Sequence, residues 1–207
     1  EVVFTRDWEI IGTLNWYQWP ERGVRDALVH LLPGGLYPMH KEVGTPQPIT
    51  GEPLPAMALY PAVALSGLMR YEGTGFPAEM RDNLFSAQHN SRRIQRHVLI
   101  REGSSYRVED HDFLTTDDPD FHPSDVLEAS DGTLLVLDTG SWYTQHCPTG
   151  KIRKSQSRGG IHRVSYEGST RGQTVPVPMS RNALARMGRL SSTQLIDLLD
   201  SGKPHEQ

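Results

Sequence analysis

The sequence predicts an all-β chain: a partial β-propeller of about three four-stranded blades, followed by a short C-terminal helical segment. Short apolar runs bounded by Gly, Pro, Asn and Asp recur along most of the chain, as expected for β-strands joined by turns. The runs also repeat at a fixed distance, since Leu84 matches Leu134 and Gln88 matches Asp138, each 50 residues further on. Repeated sheets of this size bury their faces against one another, as propeller blades do.

The best-defined predicted blade covers residues 61–114. Its four strands are predicted at 65–71, 83–88, 93–100 and 106–114, and residues 115–121 form the turn into the next blade. In that next blade we predict strands at 125–129, 133–137 and 160–166, with an Asp131-Gly132 hairpin turn between the first two. Ile94 matches Ile161 at a distance of 67, so the later blade has 17 extra residues between its second and third strands.

The two ends of the chain give weaker patterns. A third copy of the repeat is predicted at 9–14, 27–32 and 35–37, and the proline-rich stretch 39–61 is interpreted as a connection between blades. We expect residues 1–175 to be the C-terminal part of a propeller, since a complete six-bladed one needs roughly 250 to 300 residues. We expect residues 176–207 to be a linker and the start of a helical region. A short helix is predicted at 181–187, and a capping box at Ser191–Gln194 opens an amphipathic helix over 192–200.

Composition excludes several classes of protein. The formal net charge of −4 gives no support to nucleic-acid binding. The one basic cluster, Arg92, Arg93, Arg96 and His97, is interpreted as an exposed sheet face. No apolar run is long enough to span a bilayer, and Cys147, the only cysteine, cannot form an internal disulfide. Because the chain begins at Glu1, we expect a mature form or a fragment.

The candidate catalytic residues follow the second strand of each blade. Loops between second and third strands open on one face of a propeller, so we expect Asn15, His89 and Asp138 to converge on one rim. His89 is a candidate general base toward a sugar hydroxyl, and the alternative is a structural hydrogen bond at the strand end. Asp138 is a candidate to orient that base or hold a cation, and the alternative is an Asx turn that caps Thr139 and Gly140.

Other side chains are candidates for binding a substrate or cofactor. Trp142 and Tyr143 have rings suited to stacking on a ligand, and packing is the alternative. The polar candidates besides Asn15 are Arg25, Asp26, Asn90 and Arg93. The aromatic residues Trp8, Trp16, Tyr17 and Trp19 are expected to fill gaps between sheets, and stacking on a sugar or a flat ligand is the alternative. We predict no metal site, because Asp117, Asp118 and Asp120 fit a solvated turn better than a calcium loop and His146-Cys147 lacks further ligands.

A resemblance to a known family adds to this interpretation. The runs FPAEMRDNLFSAQHNSRRIQRHVLI, DGTLLVLDTGSWYTQHCPTGKI and GGIHRV resemble the propeller of membrane-bound dehydrogenase-type proteins of planctomycetes and verrucomicrobia, which are similar to glucose/sorbosone dehydrogenases. The resemblance implies an exported, periplasmic or otherwise extracytoplasmic protein whose propeller precedes HEAT-type helical repeats and a c-type haem domain. It also implies pyrroloquinoline quinone and calcium as cofactors. No CxxCH motif is present, so we expect no haem on this chain.

Two functions follow as hypotheses. The first is part of a quinone-dependent dehydrogenase that oxidises a sugar or related alcohol, with proton abstraction near His89 and Asp138. The second is a non-catalytic propeller that binds carbohydrate or protein and serves as the scaffold for a haem domain. A nicotinamide-dependent enzyme is not indicated, because the GxGxxG fingerprint is absent.

Overall fold

The structure is a computed structural model that describes residues 1–17, 23, 25–37, 51–140, 143–145, 151–152, 158–168 and 188–198. Three antiparallel sheets and a two-stranded hairpin account for its regular structure, apart from a 3-10 turn at Ala78–Met80 and one short helix. The predicted all-β fold is therefore confirmed.

The first sheet has the strand order β1-β2-β3-β4. Its strands are β1 (Val2–Phe4), β2 (Ile10–Leu14), β3 (Asp26–Leu31) and β4 (Ala58–Tyr60). The prediction was wrong at both edges, because it missed β1 and placed the last strand at 35–37. Residues 58–60 pair with Asp26–Leu28 of β3 instead, so the end of the proline-rich stretch belongs to the sheet. Tyr37 contributes its hydroxyl, which accepts a hydrogen bond from the Leu32 amide at 2.9 Å.

The second sheet is a complete four-stranded antiparallel sheet in the order β5-β6-β7-β8. Its strands are β5 (Leu65–Arg70), β6 (Leu84–Gln88), β7 (Arg93–Glu102) and β8 (Ser105–Thr115). All four agree with the predicted strands to within two residues.

The third sheet contains the repeat that the sequence indicates. In the described residues it consists of β9 (Pro123–Glu128), β10 (Leu134–Asp138) and β13 (Gly160–Val164), in the order β13-β10-β9. Between β10 and β13 lies the hairpin of β11 (Tyr143–Gln145) and β12 (Lys151–Ile152). Ile161 pairs with Leu137 just as Ile94 pairs with Ala87 in the second sheet. The predicted 50-residue equivalence therefore holds at the level of strand register.

The sheets follow one another around a common axis. The first strands of successive sheets are in contact, β1 with β5 and β5 with β9. The largest buried cluster joins the second and third sheets through side chains such as Phe85, Val126 and Val136. A second cluster joins the first and second sheets through Ile11, Leu65 and other apolar residues. Burial between consecutive sheets is the packing that defines propeller blades.

The prediction of an exposed basic face on β7 is wrong for His97. Its side chain is 0% exposed. The imidazole Nε2 lies 2.8 Å from Ser86 Oγ and Nδ1 lies 2.6 Å from Asp110 Oδ1. The Tyr60 hydroxyl, from β4 of the first sheet, reaches the same Asp110 oxygen at 3.1 Å, and burial raises the pKa of Tyr60. This polar chain, which is buried at Ser86 and His97 and reaches the surface at Asp110, therefore links the first two sheets.

The C-terminal helix α1 covers Ser192–Leu198 and begins with the predicted capping box. The Gln194 amide donates to Ser191 Oγ at 3.3 Å, and the Ser191 amide donates to Gln194 Oε1 at 2.9 Å. These two bonds satisfy amides that a helix start otherwise leaves unpaired. The helix predicted at 181–187 lies outside the described residues.

Glu9 joins the first and second sheets at their outer edge, and its contribution to stability should depend on pH. Its two carboxylate oxygens accept hydrogen bonds from Arg101 Nη1 at 2.7 and 2.6 Å, and Tyr106 also donates to it. The bonds from Arg101 and then Tyr106 lower the pKa of Glu9. A carboxyl group whose pKa is lowered on folding stabilises the fold above its unfolded-state pKa and loses that contribution as the pH falls.

We therefore expect Glu9→Gln to lower the urea midpoint at neutral pH, and we expect this difference to shrink as the pH is lowered from 7 to 3 and Glu9 becomes protonated. The effect should be small because Arg101 is solvent-exposed. Glu109→Gln is the matched control, since Glu109 pairs with Arg107 along a single strand and joins no sheets. A shift for Glu9→Gln that does not decrease as the pH falls from 7 to 3 would contradict this assignment.

Candidate functional site

A cluster of histidines lies where the second and third sheets meet, at the end that carries the loops between second and third strands. We call His89, His122, His162, Asp138 and Thr139 the histidine cluster. His89 follows β6, Thr139 follows β10, and His122 immediately precedes β9. His89 Nε2 lies 3.4 Å from Thr139 Oγ1, although the two residues are 50 apart in sequence. The repeat thus brings equivalent positions of two blades into contact.

Asp138 is held by the backbone. Its Oδ1 accepts hydrogen bonds from the amides of His122 and Gly140, both at 2.8 Å. This is the Asx turn given above as the alternative interpretation, extended by a bond to the connection between the sheets. The second oxygen, Oδ2, lies 3.4 Å from His162 Nε2. Because Asp138 is only 9% exposed, its carboxylate is fixed in orientation with one oxygen directed at an imidazole.

The imidazoles of the cluster differ in exposure. His89 is 5% exposed and His122 is 4% exposed, and their ring centroids are 5.0 Å apart. His122 Nδ1 lies 3.3 Å from the carbonyl oxygen of Asp120. The His162 side chain is 52% exposed. The cluster therefore consists of two packed rings and one ring that solvent can reach.

Three members of the cluster, His122, His162 and Thr139, were not predicted as site residues. His122 belongs to the connection between sheets, which the repeat comparison did not cover. His162 could have been found from the pairing of β10 and β13, because Gly160 is opposite Asp138 and His162 lies two residues further along β13. Residues two apart on a strand share a face, so His162 and Asp138 are diagonal neighbours.

Two of the polar residues predicted near the first sheet, Arg25 and Asp26, take part in hydrogen bonds with backbone groups. Asp26 is buried, and its Oδ2 accepts a hydrogen bond from the Leu65 amide at 3.2 Å, which ties β3 to β5. Burial raises the pKa of Asp26. The carbonyl of Arg25 accepts the Tyr17 amide at 2.9 Å. Asn15 follows β2, and no described group hydrogen-bonds its buried Oδ1. The contact of Asp26 with Leu65 lies at the junction of the first and second sheets.

The binding residues predicted near His89, Asn90 and Arg93, also make contacts within the protein. Asn90 Nδ2 donates to the Ala62 carbonyl at 2.8 Å, and the Asn90 amide donates to Val63. Arg93 pairs with Asp112 on the neighbouring strand at 2.8 Å. Trp142 lies outside the described residues, and Tyr143 is known only as the first residue of β11. A structural role is therefore the observed one for Asn90 and Arg93.

Neither calcium nor a quinone fits the described residues of this site. Calcium prefers several hard oxygen ligands, whereas the cluster offers one carboxylate that already accepts two amides. Across the described ranges no group of three or more His, Cys, Asp or Glu side chains is arranged to hold a metal ion. Pyrroloquinoline quinone carries carboxylates that need cations, and Arg93, one of the predicted substrate- or cofactor-binding residues, is already paired with Asp112. Either cofactor would need residues beyond those described here.

An open groove of about 540 Å³ lies at the other end of the same two sheets. It is lined by Met69, Arg70, Glu72, Leu127, Glu128, Ala129 and Ser130. Its main cation, Arg70, is neutralised by Glu72 and by Asp82, the latter at 2.6 Å. Since Arg70 pairs with Leu84, the first residue of β6, this groove is a strand length away from His89.

None of the helices in the described ranges is long and apolar enough to cross a membrane.

Comparison with solved structures supports the propeller fold. The chain is similar to a protein from Thermus thermophilus described as an oxidoreductase (glucose dehydrogenase), with 17% identity, a TM-score of 0.53 and coverage of 79% of this chain and 44% of that one. It is also similar to the structure of a glucose dehydrogenase, with 21% identity, a TM-score of 0.52 and coverage of 80% and 44%. The chain thus spans less than half the length of either neighbour.

Comparison of sequences identifies the family. No curated protein matches the chain. The model of a domain of unknown function, DUF7133, matches residues 54–168. That match covers more than half of the chain and includes the whole second sheet together with β9, β10 and β13. The chain therefore belongs to the DUF7133 family, and its fold is that of the glucose dehydrogenase-like β-propellers.

Proposed function

We propose that this chain is part of an oxidoreductase that oxidises a sugar or a related alcohol, and that the histidine cluster is where the substrate hydroxyl loses its proton. The observation that carries the proposal is the pairing of an oriented carboxylate, Asp138, with imidazoles at one rim of a glucose dehydrogenase-like propeller. Binding and catalytic residues are commonly carried on loops that a rigid scaffold positions.

The chemistry required is the removal of two hydrogens from a carbinol. The hydroxyl proton passes to an imidazole, which accepts protons near neutral pH. A quinone-class group, held by residues beyond the described cluster, would supply the two-electron acceptor for the C–H hydrogen that this oxidation needs. The chain's own part is to hold the base and to stabilise the imidazolium that forms. Asp138 suits this second task because its charge is fixed beside an imidazole.

The cofactors, the location and the partner are proposals of the same kind. Pyrroloquinoline quinone is proposed as the acceptor, with calcium, and both would be held by residues outside the described cluster. An extracytoplasmic, periplasmic location and electron transfer to a c-type haem domain are proposed from the resemblance of the sequence to exported dehydrogenase-type proteins. The haem would have to be attached elsewhere, since Cys147 is the single cysteine of this chain.

Catalytic turnover of sugars and alcohols tests the proposed function. The protein, supplied with pyrroloquinoline quinone and calcium, is mixed with a panel of aldoses and alcohols and a redox dye, and dye reduction is followed. We expect reduction with at least one substrate. No turnover together with retained glycan binding would contradict the proposal. That result would favour the alternative, a non-catalytic carbohydrate- or protein-binding propeller that serves as the scaffold for a haem domain.

Replacing His89 tests whether the cluster is the site. We expect His89→Ala to lower turnover, because the His122 ring loses the neighbour it packs against and Thr139 loses its contact. His111→Ala is the matched control, since His111 is exposed on β8, away from the cluster. Far-ultraviolet circular dichroism shows whether both variants are folded. Unchanged turnover in folded His89→Ala would remove His89 from the proposed site.

A further inference from the structure

The side of the third sheet that points away from the second sheet is apolar and partly open to solvent. Leu135 is opposite Leu127 in the strand pairing, so their side chains share this side. Leu127 is 45% exposed and Ile161 is 70% exposed. Exposed groups of apolar side chains commonly mark interaction surfaces. The residues of this surface, which we call the third-sheet face, are Leu127, Leu135, Leu137 and Ile161.

The internal repeat shows how the same positions are buried one blade earlier. By strand register, Ile94 of the second sheet is the counterpart of Ile161. Met69 is likewise the counterpart of Leu127. Ile94 is 0% exposed and Met69 is 7% exposed, because the third sheet packs against them. The third-sheet face is therefore built like an established contact between blades, and another sheet would bury it in the same way.

The first sheet has an apolar surface of its own at the other end of the stack. Val2 and Phe4 point away from the second sheet, because Val3 between them packs against it. Both are exposed, and so is Trp8, whose ring centroid lies 6.0 Å from that of Phe4. We call Val2, Phe4 and Trp8 the first-sheet face. Each sheet packs on the next with one side, so this side is the one that would receive a preceding blade.

We propose that the third-sheet face of one copy of this chain packs on the first-sheet face of a second copy, and that two such junctions close the two copies into one ring. Head-to-tail contacts form a closed ring when the rotation between copies permits it. The chain spans 44% of the length of each of the two similar structures, so two copies approach the length of one such protein. Each junction would repeat the packing between the second and third sheets. The inference does not depend on the proposed activity.

The mass of the 207-residue chain in solution tests the ring. In sedimentation velocity we expect a dimer, with twice the 23.2 kDa mass of one chain. Ile161→Glu and Phe4→Glu each place an unpaired charge in both junctions, so each should raise the dimer dissociation constant at least about 100-fold. Ile196→Glu is the matched control, because Ile196 is exposed on α1 and belongs to neither face. Circular dichroism shows whether the variants are folded.

A mixture of the two variants distinguishes head-to-tail packing from other dimers. In a mixed dimer both substitutions fall in the same junction, and the other junction keeps two unaltered faces. We therefore expect Ile161→Glu and Phe4→Glu to associate when mixed, at a concentration at which neither associates alone. A monomeric unaltered chain would overturn the proposal and would leave these faces to blades of another polypeptide. An assembly larger than a dimer, a dimer that survives either substitution, or a mixture that stays monomeric would also overturn it.

Discussion

Gly75→Ala is expected to destabilise the protein by about 3 kcal/mol, the upper part of the range for forcing extra atoms into a packed interior. A Cβ atom on Gly75 would lie 2.5 Å from the carbonyl oxygen of Gly132 and 2.6 Å from its carbonyl carbon. Both are backbone atoms of the turn between β9 and β10, so no flexible side chain can move aside. The second and third sheets would have to separate there.

The hydrogen bonds at this junction increase the loss of stability expected for Gly75→Ala. The Tyr71 hydroxyl donates to the Gly132 carbonyl at 2.8 Å and accepts the Phe76 amide at 2.9 Å, in a buried setting. Moving the turn would leave these groups without their partners, which costs about 1 to 3 kcal/mol for a buried polar group. The measurement is urea unfolding followed by tryptophan fluorescence. Gly51→Ala is the control, because a Cβ there has nothing within 4 Å. Equal midpoints for the two variants would contradict the close approach of the sheets.

His97→Ala is expected to cost about 3 to 5 kcal/mol, since it empties a buried site and breaks a buried polar network. Ser86 Oγ would lose its partner at 2.8 Å, and Asp110 would lose a charge-assisted bond at 2.6 Å. The Tyr60 hydroxyl would remain as a described partner of Asp110. Because the network links β4 to the second sheet, the first blade should loosen from the second.

The measurement for His97→Ala is again urea unfolding, now combined with amide hydrogen exchange in β4. We expect a lower midpoint and faster exchange at residues 58–60. His111→Ala, on the exposed part of β8, is the control and should change stability by no more than about 0.5 kcal/mol. A loss for His97→Ala no larger than for His111→Ala would mean that His97 is not part of a buried network.

The Ser86, His97 and Asp110 side chains are arranged like a hydrolase triad, but their burial assigns them a different role. Both Ser86 and His97 are 0% exposed, so no described opening brings a substrate to the serine hydroxyl. A nucleophile needs access to the carbonyl that it attacks. The arrangement is therefore a structural connection between sheets.

The sequence repeat predicted the strands that the second and third sheets have in common. The 50-residue spacing identified β6 and β10, and the match of Ile94 with Ile161 gave the register of β13. The same approach failed for the first sheet because its last strand is formed after the proline-rich stretch, at Ala58–Tyr60. A strand that depends on pairing with a distant partner carries little local signal.

The burial of His97 could not be predicted from alternation. His97 pairs with Leu84, and Ile94 pairs with Ala87, so the two buried side chains lie on opposite faces of the second sheet. One face packs against the third sheet and the other against the first. Because both faces of β7 are covered, alternation alone does not indicate which polar side chain is buried.

The candidate site was only partly visible in the sequence for a related reason. His89 and Asp138 were found because they end equivalent strands. His122 and His162 join them through contacts between sheets and across the β10–β13 ladder, which a comparison of one blade with another does not contain. The sequence could therefore indicate the rim of the propeller but not which imidazole faces the carboxylate.

The central claim is that consecutive blades bring the ends of β6 and β10 and the residue before β9 together at one rim. Nuclear Overhauser contacts measure this directly in the folded protein. We predict contacts from the His89 ring to the His122 ring, whose centroids are 5.0 Å apart, and to the side chain of Thr139, where His89 Nε2 and Thr139 Oγ1 are 3.4 Å apart. A folded protein with assigned histidine signals and neither contact would contradict the blade packing and the site built on it.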